Sequence, residues 1–221
     1  MSLALYSAPL KGLTLGIMKT IPSLADALEL KQELERRLVG LRFENKPRQR
    51  VAYACYSIAR EHYSAILLLL QQDPPSYATA FALLRPALEA TLRALRGEWI
   101  AECASDEHIK SFALGGKRQL DMSSLVAALQ KNSSSDNMHS VLYKDLWPIV
   151  SAYTHTYEYQ LQHWISLDPP IPNYAPEQVA WLLNAAMACF ALCVSSTRRL
   201  AKEDGVKDGG GWGHGGDGVR S

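Results

Sequence analysis

The chain has 221 residues, 48% of them hydrophobic, with 23 Lys+Arg against 22 Asp+Glu and a formal charge of +1. Such a chain suits one domain, or one domain with an appendage, and is too apolar to be disordered over most of its length. The charge balance excludes a global pull toward nucleic acid or acidic substrates.

Residues 1–22 read as an N-terminal extension. No charged leader precedes an apolar core there, and glycine and proline interrupt it, so it makes a poor signal peptide. "SLADALELKQELERRLVGL" follows as the first helix. Ser23 is its N-cap, acids come early, and Arg36 and Arg37 come late, which suits the helix dipole. "PRQRVAYACYSIAREHYSAILLLLQQ" is a long second helix ended by "DPPS". "SYATAFALLRPALEATLRALRGEWIAE" is a third, with Pro86 inside it. Residues 105–137 read as shorter helices joined by loops. "KDLWPIVSAYTHTYEYQLQHWI" is another helix, with Pro148 in its first turn, where proline is tolerated. "SLDPPIPNYAP" is a linker, and "EQVAWLLNAAMACFALCVSSTRRLAKE" is the last helix. The stretch Val179–Ser196 approaches a bilayer-spanning length, but its alanines and Asn184 fit the core helix of a soluble bundle better. Residues 205–221 are a glycine-rich tail, expected to be flexible. No alternating strand pattern appears. The expectation is an all-α protein, a single helical bundle of about five to seven helices over residues 23–204.

A helix turns about 100° per residue, so faces follow by arithmetic. In the helix after Pro148, the apolar stripe is Leu146, Val150, Tyr153, Tyr157 and Leu161. His155 falls almost opposite it, with Tyr159 and Gln162 on its side and His163 at the flank. That face, with Ser151 close by, is either solvated or meets a second helix or a partner chain to build a polar site, and Thr154 is a further binding candidate. In the second helix, His62 aligns with Val51, Cys55, Ile58, Ile66 and Leu69. It reads as a core histidine with hydrogen-bonded nitrogens, or as a general base. In the third helix, Leu84, Leu88, Leu92, Leu95 and Trp99 form the buried stripe. Arg85, Glu89 and Arg93 follow at four-residue steps along its edge. This is either surface pairing or an anion site next to the Pro86 kink.

Cys189 and Cys193 share a helix face, yet no second ligand pair accompanies them, so small buried side chains are expected rather than a metal site. His155, Glu158 and His163 make no convincing metal triad, because the two histidines diverge around the helix. The four cysteines are too sparse for a disulfide scaffold, which points to a reduced, cytoplasmic setting. No GxSxG, P-loop, GxGxxG, HExxH or CxxC is present, and no cofactor is expected.

"ATAFALLRPALEATLRAL", "SAYTHT" and "IPNYAPEQVAWLL", taken together and in this order, resemble a family of bacterial all-helical proteins known as a domain of unknown function. The likeness runs from Pro47 to Leu200. It implies a bacterial, soluble, single-domain helical protein and no particular activity. That family is in turn similar to the HEPN helical bundles, many of which are RNases of toxin or phage-defence systems. Their signature places Arg a few residues before His on one helix. Here no Arg lies four to six residues before His155, and Arg60 stands only two before His62. A HEPN-like, metal-independent RNase would therefore join residues from different helices. His155 would be the acid/base, Arg85 would hold the phosphate, and Glu89 would orient Arg85. Two other functions are weighed beside it. One is a non-catalytic dimerising or partner-binding module using His155, Tyr159 and Gln162. The other is a small-molecule or nucleotide sensor lined by His62, Arg85 and Glu89.

Overall fold

The computed structural model describes residues 23–43, 46–99, 122–125, 127, 146–154, 160, 161, 163 and 172–205. They form an all-α bundle of five main helices: α1 (Leu24–Arg36), α2 (Pro47–Leu70), α3 (Tyr77–Trp99), α4 (Trp147–Thr154) and α5 (Pro176–Gly205). Helices α2 and α3 pack along most of their lengths as a hairpin. Helix α4 lies on α3, and α5 lies against α1, α2 and α3. The predicted N-terminal extension, the helices expected over 105–121 and 128–137, and the tail beyond Gly205 lie outside the described residues.

The first helix starts as expected. Ser23 has an extended backbone, and its Oγ accepts from the Asp26 amide at 3.2 Å while its hydroxyl donates to the Asp26 carboxylate. That cap satisfies one of the amides left over at a helix start. Ser23→Ala is expected to cost about 1 kcal/mol, read as a lowered urea midpoint at unchanged slope.

The buried faces of α3 and α4 agree with the face arithmetic. Leu84, Leu88, Leu92 and Leu95 are all in the core, as are Leu146, Val150 and Tyr153. Leu161 departs from it and stays exposed. Helix α2 departs further. Its buried line is Ala52, Tyr56, Ala59, Tyr63, Ile66, Leu67 and Leu70. That line lies about a quarter turn from the predicted one, given 3.6 residues per turn. Ile58, expected in the core, is 48% exposed, and His62, read as a core histidine, is only half-buried at the flank. The reason is the tyrosines: their rings carry more apolar area than an isoleucine, and a buried hydroxyl costs little once it has a partner.

Tyr63 has that partner. Its hydroxyl lies 2.9 Å from Thr91 Oγ1, which also donates to the Ala87 carbonyl at 2.8 Å and sits 3.3 Å from Cys193 Sγ. Thr91 has one proton, and Ala87 takes it, so Tyr63 O–H and Cys193 S–H both donate to Thr91. Cys189 lies beside Tyr63 in the same cluster. All four side chains are buried, and they tie α2, α3 and α5 together at one level. Tyr63 also meets Phe190 edge-on at 6.1 Å.

Helix α5 is long and apolar enough over Pro176–Ala201 to cross a membrane, with a mean hydropathy of 1.8. In the bundle, 61% of its most apolar window is buried, including Leu182, Met187, Phe190 and Val194.

Candidate functional site

Helix α4 runs antiparallel to α3. Phe81 stacks on Tyr153 at 4.5 Å near one end, and the Arg85 guanidinium lies 5.1 Å from the Trp147 ring centre near the other. A half-buried guanidinium over an indole face is held by cation–π attraction as well as by packing. Arg85 is thus fixed on the α3–α4 seam. Thr154 ends α4, and its Oγ1 donates back to the Val150 carbonyl at 2.9 Å, so this hydroxyl turns onto its own helix. His155, Tyr159 and Gln162 lie outside the described residues. The chain leads toward His155 from the Tyr153 end of α4, whereas Arg85 sits at the Trp147 end. Six residues of helix separate those ends, about 9 Å of rise.

Glu89 pairs with the later arginine of the ladder. Its Oε1 accepts from Arg93 Nε at 2.9 Å and Nη2 at 2.6 Å, a two-pronged pair one turn further along α3. The Arg-Glu-Arg ladder closes on its second rung. This is the ordinary i,i+4 helix pairing, with the orientation that favours the dipole.

The most elaborate polar constellation centres instead on His163, a residue that face arithmetic left at the edge of its helix. His163 Nδ1 lies 3.0 Å from the Asn173 carbonyl, and the Asn173 amide donates to the His163 carbonyl at 2.8 Å. His163 Nε2 lies 3.2 Å from Gln178 Nε2, while Gln178 Oε1 accepts from the Ala175 amide at 2.8 Å. A carbonyl can only accept and an amide nitrogen can only donate. The set is satisfied by the tautomer with its proton on Nδ1. The imidazole then stacks on Tyr174 at 4.3 Å and lies parallel to Tyr153 at 6.4 Å. Tyr174 stacks on Phe81 at 5.1 Å, and Trp181 lies parallel to Phe81 at 6.4 Å. One continuous column of rings therefore joins α3, α4, the segment at His163 and the start of α5. Gln160 Nε2 reinforces it by donating to the carbonyls of Ala78, at 3.3 Å, and Tyr153. Both ring nitrogens of His163 are occupied within the chain, which makes it a clasp rather than a proton-transfer group.

Elsewhere, a shallow cleft of about 340 Å³ opens between Leu24, Leu70, Tyr77, Tyr174 and Val179. None of His62, Arg85 or Glu89 lines it, so the pocket anticipated for a small-molecule sensor is not this cleft. The two α5 thiols are inert by environment. Burial pushes Cys189 up to about 11 and Cys193 up to about 12. Burial also raises Cys55, with Arg93 opposing. Among the described residues, no group of three His, Cys, Asp or Glu lies close enough to hold a metal ion.

The outer side of α2 carries a different feature. Opposite its buried line run Arg50, Ala54, Ser57, Glu61 and Leu68, flanked by Tyr53 and Ile58. Leu68 is 63% exposed, and Tyr53 and Ile58 are also open. Phe43 packs against Tyr53 with ring centres 4.7 Å apart.

Comparison with known proteins places the chain by family alone. The model of a family of unknown function, DUF6988, matches residues 56–206. No curated protein and no solved structure matches.

Proposed function

Since the chain belongs to the DUF6988 family, whose function is unknown, we propose a role from its own surface: a non-catalytic helical module that binds through the outer face of α2. The observation that carries this reading is that Ile58 and Leu68 stand 48% and 63% open on the outward side of a helix whose opposite face is fully buried. Large apolar side chains held open on the outward side of one helix, with polar residues between them, supply the anchors that a contact surface uses. Much of the candidate chemistry is engaged internally: Glu89 by Arg93, Thr154 by Val150, and His163 by Asn173 and Gln178.

A second reading, a HEPN-like RNase using Arg85 and His155, is favoured by one observation: a half-buried guanidinium held over Trp147. A single pair of measurements separates the two. Full-length protein incubated with a structured RNA is expected to leave it intact. Ile58→Glu is expected to abolish association in sedimentation velocity while leaving circular dichroism and Tm unchanged. RNA cleavage that disappears in Arg85→Ala overturns the module reading in favour of the nuclease.

A further inference from the structure

The outer line of α2 is complementary to itself. Arg50, Ala54, Ser57 and Glu61 are spaced by four, three and four residues, so they fall on one narrow line along the helix. A basic group opens that line and an acidic group closes it, with two small residues between. Neither Arg50 nor Glu61 forms an ion pair with any of the described residues. Turned end over end, the same line matches itself: Ala54 meets Ser57, and Arg50 meets Glu61, at both ends at once.

We infer that this face binds a second copy of the chain, with α2 packed antiparallel on its partner's α2, Ala54 against Ser57, and two reciprocal Arg50–Glu61 ion pairs. The inference rests on the module reading above and names its partner and register. Small residues at the crossing let the helix backbones approach closely. Tyr53 and Ile58 then flank the crossing on opposite sides, and each packs along the side of the facing helix. Tyr53 is already braced by Phe43, which lowers the entropy lost when it packs.

Charge selects this register over its neighbours. An antiparallel pairing centred on Glu61 would bring Ala54 level with Leu68, but it would set the two Glu61 carboxylates face to face. Like charges directly opposed across a contact are destabilising. The pairing centred between Ala54 and Ser57 avoids this and gives each Glu61 a guanidinium. A single helix crossing covers less than the roughly 1,200–2,000 Å² of a standard stable interface, so the dimer is expected to be reversible, in the micromolar range.

The test is a charge swap on the full-length chain, read by sedimentation velocity across micromolar concentrations. Arg50→Glu and Glu61→Arg each place like charges together at both ends. Each is expected to weaken the dimer by at least about 10-fold. The double variant, Arg50→Glu with Glu61→Arg, restores both pairs in reverse. It is expected to recover dimerisation to within about 3-fold of the parent chain. Both residues are exposed, and circular dichroism confirms folding for each variant. If neither single reversal weakens association, or if the double variant stays monomeric, this register is overturned. Should Ile58→Glu still abolish association in that case, the α2 face survives as the binding surface. If Ile58→Glu has no effect either, the module reading falls with the register.

Discussion

Phe81→Ala is expected to lower the unfolding free energy by about 3–5 kcal/mol, the usual cost of emptying an aromatic site in a packed core. Phe81 is 1% exposed and touches three rings, those of Tyr153, Tyr174 and Trp181. These come from α4, from the segment just before α5, and from α5 itself. Removing the ring therefore takes the middle out of a column, and the neighbours cannot all close the gap at once. For a chain of this size the loss corresponds to a fall in Tm of roughly 10 °C. Phe81→Leu keeps most of the volume and should cost less than half as much. Urea unfolding followed by circular dichroism and by Trp fluorescence checks both substitutions. Equal costs for alanine and leucine would show that the ring itself, rather than the volume it fills, holds the column, and an alanine cost below about 1 kcal/mol would show that the column does not depend on Phe81.

The second large effect is alkaline. Cys189 and Cys193 titrate at about 11 and about 12, above the ordinary 9.0, because burial disfavours the thiolate. Tyr63 is raised well above its ordinary 10.0, also chiefly by burial. In the unfolded chain these groups lose their protons first. Stability from them is therefore fully present below about pH 9 and is lost as the pH rises from there toward 12. The expected result is a urea midpoint that holds steady from neutral pH to about 9 and then falls steeply. Cys189→Ala should flatten part of that fall. At pH 8 the same burial leaves little thiolate. Alkylation of Cys189 in the native chain should be at least about 100-fold slower than in urea, by thiolate fraction alone. Mass spectrometry after timed alkylation measures this directly. Equal rates in the native and unfolded chain would show that the thiols are open to solvent.

Local pattern carried the helices and much of their burial. Ser23 as a cap, Pro148 in a first turn and the leucine line of α3 all follow from spacing within a single helix. Local pattern failed where the deciding partner lies far along the chain. The rotation of α2 depends on Tyr63 finding Thr91, 28 residues away, and on the thiols of α5. Counting apolar residues treats tyrosine as half polar and so points the helix wrongly. The role of His163 depends on Asn173 and Gln178, brought back by a proline-rich linker that the pattern marks only as punctuation. Glu89 had two arginines within reach, at positions 85 and 93, and spacing alone could not say which it would take. His155, Tyr159 and Gln162 belong to a segment outside the described residues.

The hydroxyl of Thr91 has an influence beyond the core. By receiving Tyr63 at one fixed angle, it acts as a detent that stops α2 from rolling about its own axis. A roll of one residue would turn the outer line by about 100°. The row of Arg50, Ala54, Ser57 and Glu61 would then no longer point away from the bundle. Which residues the molecule shows to a partner is in this sense decided at its centre, by a proton shared out of sight of solvent.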